Sequence, residues 1–493
     1  MVVQSKFLSK ILPEKYDYNL VVIGAGSAGL VSSYLAAGLQ ARVLLVEQAK
    51  MGGDCLNRGC VPSKALIRSA KLAAELQQAE HLGLSRVEVG VDFARVMERV
   101  QRVIAEVEPH DSVARYESLG VECATGRATV VSPHEVEIGA RKVSARRIIV
   151  ATGGAPMIPD IPGLELGAVL TSDTVWQLRK KPRRLVVVGG GPIGCELAQS
   201  FSRLGCHVTQ VVHGDRLLKR EDADVSAALL KVFEAQGLTV HFKHDLNSIV
   251  AHSHGRRLLC DAPTGGVEID FDEILFAVGR QPVTTGFGLE ELGVKVDPRG
   301  GLLADGTLRT SVASIYCAGD VVGPYLFTHM AAHQAGYATV NALFDRFWRS
   351  KVDYRLVPWA TFVDPEVARI GLNEQEAKRG GIAYEVTRFD YGELDRSIAD
   401  SQTQGWIKII TAQGKDKILG VTIVGSHASD CIAEYVLAMK YGLGLKKILS
   451  TIHIYPTVAE GNKMAAGVWQ REHLPVQLLP WLKRFQRWSR GCW

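Results

Sequence analysis

Two cysteines carry the clearest chemical signal in this chain of 493 residues. Cys55 and Cys60 lie in the segment GGDCLNRGCVPSKALIRSAK, after a glycine-rich turn and at the start of a helix expected from Ser63 onward. This spacing allows a disulfide with modest distortion of the backbone, and a position at the amino end of a helix lowers the pKa of a thiol. Zinc is the alternative for paired cysteines, but no second pair of Cys or His residues lies nearby in the sequence. The pattern therefore favours a redox-active pair over a metal site.

A second group of candidate residues lies in STIHIYPTVAEGNK, residues 450–463. His453, Tyr455 and Glu460 could each handle a proton, but a tyrosine with an ordinary pKa near ~10 is a poor base at pH 7. A histidine titrates closer to neutral pH. In an extended segment His453 would point to the same side as Tyr455 but lie roughly 6–7 Å away along the chain. We interpret His453 as structural and keep Tyr455 and Glu460 as candidate catalytic residues.

Length and composition are those of an ordinary globular protein. The chain is too long for one core and suggests roughly three or four domains, and no apolar run reaches the ~20 residues that span a bilayer. A net charge of +5 without a basic block argues against nucleic acid as a partner. The first 19 residues predict a short arm rather than a signal peptide. Nine scattered cysteines are typical of a reducing compartment, which predicts a cytoplasmic protein.

The elements that would position these residues begin with a dinucleotide-binding pattern over residues 18–47. An apolar strand over 20–23 leads into Gly24, Gly26 and Gly29, and a helix and a second strand over 42–46 follow and end at Glu47. The glycines permit a tight turn, close approach of a pyrophosphate and close packing of helix on strand. The helix amino end favours the anion, and Glu47 can accept a hydrogen bond from a ribose hydroxyl. The pattern predicts a binding site for FAD or NAD.

The same pattern recurs at RRLVVVGGGPIGCELAQSFSRLGCHVTQVV. The strand over 185–188 leads into Gly189, Gly191 and Gly194. Two dinucleotide sites in one chain indicate a flavin and a nicotinamide that exchange hydride.

The second site lacks the acid that usually ends the second strand, here over residues 208–212. His213, Arg216 and Arg220 follow instead and favour the 2′-phosphate of NADPH. Two alternatives stay open: these charges are simply solvated, or Asp215 serves NADH from a shifted position.

Further motifs follow in order: ATGGAP at 151–156, AVGRQP at 277–282, SIYCAGDVVG at 314–323, THMAAHQAG at 328–336 and TFVDPEVARIGLNEQEA at 361–377. Together with CxNxGCxPSK after the first glycine loop, they closely resemble the flavin-dependent pyridine nucleotide–disulfide oxidoreductases. Dihydrolipoamide dehydrogenase, glutathione reductase and mercuric reductase belong to that family. The resemblance covers residues 18 to about 470, and it implies a homodimeric oxidoreductase that uses FAD and NADPH or NADH.

The resemblance implies an α/β fold with two Rossmann-like dinucleotide-binding domains and a C-terminal α/β dimerisation domain. The expected segments are an FAD-binding domain over 1–157, an NAD(P)-binding domain over 158–281, a return to the FAD and central region over 282–350, a dimerisation domain over 351–470 and an amphipathic basic tail over 471–493. Residues 405–442 support the dimerisation domain, because two apolar strands joined by a polar turn precede a helix with apolar spacing.

The resemblance also implies a role for each matching residue. Cys55 is the interchange thiol that meets the substrate, and Cys60 is the charge-transfer thiol that lies against the flavin. Lys64 approaches the flavin and pairs with Glu196 beside the nicotinamide. The positive charge of Lys64 would stabilise negative charge on the reduced flavin. The remaining implied ligands are Gly53, Gly126, Thr152, Gly153, Asp320 and the helix beginning near His329 for FAD, and His213 and Gly279 for NAD(P). No metal site is expected.

The chain departs from the family pattern in the segment HIYPTVAE. The family's base is a His directly before Pro, whereas Tyr455 precedes Pro456 here and Glu460 is kept. Mercuric reductases have Tyr at this place, since thiolates that bind a soft metal need no dithiol base. However, those enzymes carry a Cys-Cys pair near the C-terminus, and this chain has Cys492 alone. Pro192 also stands where many relatives carry an aromatic residue.

These departures favour reduction of a disulfide or a thiol-bound metal ion, with a small-molecule or thiol-linked acceptor. Three alternatives stay open: a dihydrolipoamide dehydrogenase, an NAD(P)H:quinone or diaphorase-type flavoprotein, and a membrane-docked subunit of a larger assembly.

The tail HLPVQLLPWLKRFQRWSRGCW extends beyond the family core. At helical spacing its apolar residues share one face, and its basic residues lie off that face. This pattern predicts weak peripheral association with the inner face of a membrane, and packing on the enzyme's own dimer is the alternative.

Overall fold

The computed structural model describes residues 15–491 apart from Arg86, Val87, Val89, Ala168 and His254. Most of the expected amino-terminal arm, and Cys492, lie outside the described residues. The chain divides into two compact units. Unit 1 comprises residues 1–77, 86–215 and 234–353, and unit 2 comprises residues 78–85, 216–233 and 354–493. The five-segment division expected from the sequence stays a prediction.

The first sheet of unit 1 has seven strands. In spatial order six of them are Glu122–Thr125, Val43–Glu47, Tyr18–Ile23, Arg141–Val150, Glu135–Ile138 and Ala128–Ser132, and Ile315–Cys317 pairs in parallel with Arg141–Val150. The central strand Tyr18–Ile23 runs parallel to both neighbours. Leu20 and Val22 belong to one apolar cluster, and Val21 and Ile23 belong to another. Burial on both faces explains the continuous apolar run in this strand.

The second sheet of unit 1 has five parallel strands, Thr239–Phe242, His207–Val212, Arg184–Val188, Glu273–Phe276 and Val169–Thr171. An antiparallel three-stranded sheet adjoins it in the chain, formed by Asp245–His252, Gly255–Ala262 and Gly265–Phe271. Gly154–Pro156 and Arg280–Pro282 form a two-stranded ribbon. The two glycine-rich patterns therefore each follow a strand with a parallel neighbour on both sides, which is the place that the sequence predicts.

The helices of unit 1 are Ser27–Gly38, Gly53–Asn57, Cys60–Gln77, Phe93–Val107, Val113–Ser118, Pro192–Arg203 and Thr328–Phe344. Another helix, Ala223–Ala235, extends from the second segment of unit 2 into unit 1. Small residues let Ser27–Gly38 and Thr328–Phe344 pack closely against the first sheet, where Ala36, Ala335 and Ala338 are fully buried.

Unit 2 contains an antiparallel five-stranded sheet in the spatial order Trp359–Thr361, Glu366–Gly371, Ile418–Gly425, Trp406–Ala412 and Tyr384–Asp390. Its helices are Glu374–Arg379, Asp395–Ala399, Ala428–Lys440, Leu445–Ser450, Glu460–Glu472 and Leu479–Ser489. The expected pair of apolar strands, the turn and the following helix are all present. None of the helices in the described part of the chain has the length and apolar character needed to cross a membrane.

Candidate active site

The two cysteines lie at the junction of two helices. Cys55 belongs to the short helix Gly53–Asn57, and Cys60 is the first residue of Cys60–Gln77, which we call the active-site helix. The chain turns sharply between them, because the Asp54 carbonyl accepts hydrogen bonds from the amides of Arg58 and Gly59 at 2.9 and 2.6 Å. The sequence placed the start of the helix at Ser63, which is wrong by three residues. The earlier start puts the Cys60 thiol itself at the amino end of the helix, where a thiolate is stabilised.

The electrostatics of the pair are asymmetric. The Cys55 thiol donates a hydrogen bond to Cys60, which raises the pKa of Cys55 far above its ordinary value. The same hydrogen bond, opposed by burial and aided by Thr328 and Lys64, lowers the pKa of Cys60 to about 6. Thr328 Oγ1 lies 3.2 Å from Cys60 Sγ. The surroundings therefore favour a thiolate on Cys60 over a thiolate on Cys55.

Lys64 and Glu196 come from separate motifs and form an ion pair. Lys64 Nζ lies 2.9 Å from Glu196 Oε2, with Lys64 on the active-site helix and Glu196 on the helix Pro192–Arg203. The Glu196 side chain is 7% exposed, whereas that of Lys64 is 37% exposed. Because a buried carboxylate needs a partner, Lys64 is held next to the cysteine pair by this contact.

The first glycine loop has the shape of a dinucleotide cradle. Gly24 has φ +100°, and a Cβ there would lie 2.4 Å from the carbonyl oxygen of Ala151. Gly26 precedes the helix Ser27–Gly38, and a Cβ at Gly26 would meet only the Cα of Gly53, at 3.8 Å. A Cβ at Gly29 would overlap the carbonyl of Gly24. The loop therefore leaves open space over backbone N–H groups at a helix amino end, as a pyrophosphate requires.

Glu47 lies at this loop. Its Oε2 accepts a hydrogen bond from the amide of Ala25 at 2.7 Å, and its Oε1 accepts one from Ala49 at 2.7 Å. The carboxylate is thus fixed at the carboxyl end of the strand Val43–Glu47, where a ribose hydroxyl is bound in this type of fold. The residues present fit the adenosine half of FAD.

The other expected flavin residues surround the first sheet. Gly126 donates its amide to the carbonyl of Glu47 at 2.8 Å, and Thr152 Oγ1 donates to the carbonyl of Val283 at 2.5 Å. The carbonyl of Gly153 accepts from the amide of Val283 at 3.0 Å. His329 is the second residue of the helix Thr328–Phe344.

Asp320 is a half-buried acid in the same unit. Partial burial raises its pKa, and the nearby Arg280 guanidinium, 3.7 Å away, opposes this rise. Arg280 also donates to the carboxylate of Asp54 and to the carbonyl of Gly154. A half-buried carboxyl group beside one arginine fits a ligand rich in hydroxyl groups, such as the ribityl chain of a flavin.

The second glycine loop repeats the first. A Cβ at Gly189 would lie 2.3 Å from the carbonyl of Ala277, and one at Gly194 would lie 2.3 Å from that of Gly189. Gly191 has open space, with nothing within 4 Å of a Cβ, and it precedes the helix Pro192–Arg203. Gly279 accepts a hydrogen bond from the amide of Met157 at 3.0 Å. These residues fit a second dinucleotide.

The end of the strand His207–Val212 carries charged groups that the sequence pattern does not bring together. His213 pairs through Nδ1 with the carboxylate of Asp245, and both side chains are largely exposed. The amide of Lys243 donates to the carbonyl of Gly214 at 2.9 Å, which places Lys243 beside the same strand end.

Arg216 and Arg220 belong to unit 2, and each has a contact there. Arg216 donates to Gln375 Oε1 at 2.9 Å, and Arg220 lies over the ring of Trp359 at 5.9 Å. Within unit 1 the residue beside His213 at this strand end is Lys243, and a role for Arg216 and Arg220 at the nucleotide stays a prediction.

Tyr455 and His453 have different partners in unit 2. Tyr455 is exposed, and its hydroxyl donates to Asp395 Oδ2 at 3.0 Å, which raises the pKa of the tyrosine. His453 is 8% exposed at its side chain and contacts Glu434 through Nε2 at 3.0 Å. Glu460 opens the helix Glu460–Glu472. His453 is thus part of a packed network, while Tyr455 is presented to solvent on this chain.

The sequence patterns did not predict three residues that contribute to the site: Thr328, Arg280 and Asp395. Thr328 and Arg280 lie inside two of the motifs quoted above, directly before His329 and directly after Gly279. Their positions could have drawn attention, but their contacts could not, because each reaches a residue more than 200 positions away. Asp395 has no sequence signal.

Comparison with protein families gives two matches that together cover most of the chain. Residues 18–336 match the pyridine nucleotide-disulphide oxidoreductase model, and residues 357–466 match the dimerisation domain of the same oxidoreductases. A mercuric reductase from Bacillus cereus is 32% identical over 466 residues, which cover 93% of this chain and 72% of that protein. A dihydrolipoyl dehydrogenase from Chlamydia muridarum is 33% identical over 449 residues, which cover 90% of this chain and 95% of that protein.

Two solved structures have the same fold. The HOCl-induced flavoprotein disulfide reductase RclA from Escherichia coli is 25% identical, with a TM-score of 0.82 over 92% of this chain and 100% of that chain. LpdA from Mycobacterium tuberculosis is 26% identical, with a TM-score of 0.83 over 91% and 99%. The expected α/β class, the two Rossmann-like sheets and the C-terminal dimerisation domain are confirmed. The chain belongs to the pyridine nucleotide-disulphide oxidoreductase family, whose members are enzymes that use FAD and NAD(P)H.

Proposed function

We propose that this enzyme passes electrons from NADPH to a disulfide or a thiol-bound metal ion through the Cys55–Cys60 pair. FAD and the nicotinamide, when bound, supply hydride acceptance and delivery. The observation that carries the proposal is the position of the pair: Cys60 is the first residue of the active-site helix, its Sγ lies 3.2 Å from Thr328 Oγ1, and its pKa is lowered beside Cys55. Lys64, paired with Glu196, is the cation next to this pair.

The chain's own residues complete a balanced step. A Cys55 thiol and a Cys60 thiolate lose two electrons and one proton when they form a disulfide. The acceptor takes both electrons. A disulfide acceptor also takes up two protons, one released by Cys55 and one from solvent, and leaves as two thiols, whereas a divalent metal ion takes up none and the Cys55 proton goes to solvent. Cys55 is the proposed sulfur that meets the acceptor, and Thr328 and the helix amino end hold the negative charge on Cys60.

The acceptor proposed first is a thiol-bound soft metal ion. Tyr455 stands where the family's base is expected, and its hydrogen bond to Asp395 raises the pKa of a group that is already a weak base at neutral pH. A soft metal ion displaces the proton of the Cys55 thiol as it binds, so this acceptor does not need such a base. Lipoamide, a disulfide, is the second acceptor, supported by relatives named dihydrolipoyl dehydrogenase at the same level of identity as those named mercuric reductase.

NADPH is the proposed reductant. The strand His207–Val212 ends without an acid, while His213 and Lys243 lie beside its end. Two basic groups at this place favour a 2′-phosphate, although Asp245 competes for His213. His213→Ala and Lys243→Ala should each lower kcat/KM for NADPH more than for NADH, with the exposed Lys231→Ala as a matched control. Equal losses with both nucleotides would argue for NADH.

The test of the whole proposal is a panel of acceptors under anaerobic conditions. The enzyme is first reduced with NADPH or NADH, and its reoxidation by mercuric ion, lipoamide, glutathione disulfide and quinones is then followed. Cys55→Ser should abolish turnover with the physiological acceptor while leaving reduction by the nicotinamide intact. Unchanged turnover in Cys55→Ser would overturn the disulfide mechanism and favour a quinone reductase or diaphorase.

The dimerisation domain supports a homodimer. We place the reaction in the cytoplasm, because the cysteines other than Cys55 and Cys60 are scattered and a reducing compartment keeps such thiols free. Peripheral contact with a membrane is a separate prediction, because it depends on the tail rather than on the active site.

A further inference from the structure

The last helix, Leu479–Ser489, lies outside the apolar clusters of unit 2. Every described residue from Leu474 to Gly491 is exposed on this chain. Proteins rarely leave so many large apolar side chains in contact with water. An exposed apolar patch of this kind therefore marks an interaction surface.

The helix has one continuous apolar face, which we call the aromatic face. The rings of Trp481 and Phe485 stack with centroids 5.9 Å apart, and those of Phe485 and Trp488 lie 6.0 Å apart. Two leucines extend the same face at helical spacing. The exposed fractions of its members are 52% for Leu478, 63% for Trp481, 42% for Leu482, 46% for Phe485 and 61% for Trp488.

The opposite face is basic. Lys483, Arg484, Arg487 and Arg490 lie away from the aromatic face at 100° per residue. No Asp or Glu occurs in the sequence after Glu472. The charge of this segment is therefore of one sign, and its natural complement is an anionic surface.

A second copy of the chain is a poor complement for this helix. The whole chain carries a net charge of +5, so a second copy offers no overall excess of acidic groups to complement a basic helix. An anionic bilayer accepts both faces at once, because tryptophan and phenylalanine rings favour the headgroup boundary and lysine and arginine favour anionic headgroups. The segment after Glu472 combines an apolar face, an opposed basic face and a sequence without acidic residues. This combination is typical of an interfacial helix.

We propose that the helix Leu479–Ser489 lies in the plane of an anionic membrane surface and attaches the enzyme to it. The aromatic face enters the boundary between headgroups and acyl chains, and the basic residues contact anionic headgroups. A helix of 11 residues gives weak, reversible attachment. The attachment is independent of the acceptor that the active site reduces.

The test uses the full-length enzyme with its flavin bound and two kinds of vesicle. One is made of phosphatidylcholine and phosphatidylglycerol in equal amounts, and the other of phosphatidylcholine alone. The enzyme should sediment with the anionic vesicles at low salt and be released by high salt. Trp481→Ala combined with Trp488→Ala should abolish this binding, and Phe347→Ala, which removes an exposed aromatic ring outside this helix, should not.

The charge contribution is tested separately. Lys483→Gln combined with Arg487→Gln removes two interfacial charges and should weaken partition to anionic vesicles by roughly 30-fold. Turnover with a water-soluble acceptor should stay unchanged in all tail variants, which separates loss of attachment from loss of the fold.

Two results would overturn the proposal. One is equal sedimentation of the wild-type enzyme and the double tryptophan variant. The other is dissociation of the dimer in that variant, measured by light scattering, since the aromatic face would then be covered by the partner subunit.

Discussion

Thr328 should set the pH at which the reduced enzyme holds its thiolate. Its hydroxyl lies 3.2 Å from Cys60 Sγ, and it is one of the groups that lower the pKa of Cys60 from 9.0 to about 6. Thr328→Val keeps the shape of the side chain and removes this donor. A hydrogen bond to a charged group contributes about 1.5–3 kcal/mol, and one pKa unit corresponds to about 1.36 kcal/mol.

Because Cys60 is partly open to water, the lower end of this range applies, and we expect a rise of about one pKa unit. The thiolate fraction at pH 7 should then fall from roughly nine-tenths to about one half. The thiolate persists above the pKa and disappears as the pH falls through it. Because the variant has a higher pKa than the wild-type enzyme, it loses its thiolate at a higher pH.

The assay is a titration of the reduced enzyme that follows thiolate absorbance and the rate of alkylation. Thr328→Ser keeps the hydroxyl and should titrate like the wild-type enzyme, and the double variant Cys55→Ser, Cys60→Ser supplies the background from the other cysteines. In the intact pair the hydrogen bond to Cys60 raises the pKa of Cys55, so the thiolate signal near neutral pH comes from Cys60. An identical titration of Thr328→Val and wild type would refute the role of this hydrogen bond.

Three other substitutions test the site. Lys64→Met leaves Glu196 buried without its cation, so the free energy of unfolding should fall by about 1–2 kcal/mol. Reduction by the nicotinamide, followed by stopped flow, should also become slower. Wild-type values for both quantities would refute the pairing of Lys64 with Glu196. Gly24→Ala places a Cβ 2.4 Å from a carbonyl oxygen at φ +100°, so flavin content measured by absorbance should drop sharply. Tyr455→His introduces a base that titrates near neutral pH, and turnover with lipoamide or glutathione disulfide should rise. High activity with these acceptors in the native enzyme, unaffected by the change, would contradict our interpretation of this loop.

Local patterns in the sequence were sufficient for the parts of the molecule whose physics is local. The two glycine loops are predictable because turn, helix amino end and following strand lie within about thirty residues. The cysteine pair, the apolar strands of unit 2 and the amphipathic tail helix are predictable for the same reason, since their periodicity and spacing are properties of single elements.

Contacts between distant segments depended on the tertiary structure. Nothing near Thr328 in the sequence indicates that its hydroxyl contacts Cys60. Lys408 has the sequence context of an ordinary strand residue, but in the folded chain it is buried and forms ion pairs with Asp222, Asp224 and Glu374.

The sequence by itself determined which chemistry is present: a pair of thiols, two dinucleotide loops and a loop with tyrosine in place of a base. The tertiary structure decided how that chemistry is tuned. The low pKa of Cys60 comes from a neighbouring thiol, a hydroxyl and a cation whose distances only the folded chain sets. The physical reason is that electrostatic interactions depend on separation in space, and sequence spacing determines that separation only within a single helix, strand or turn.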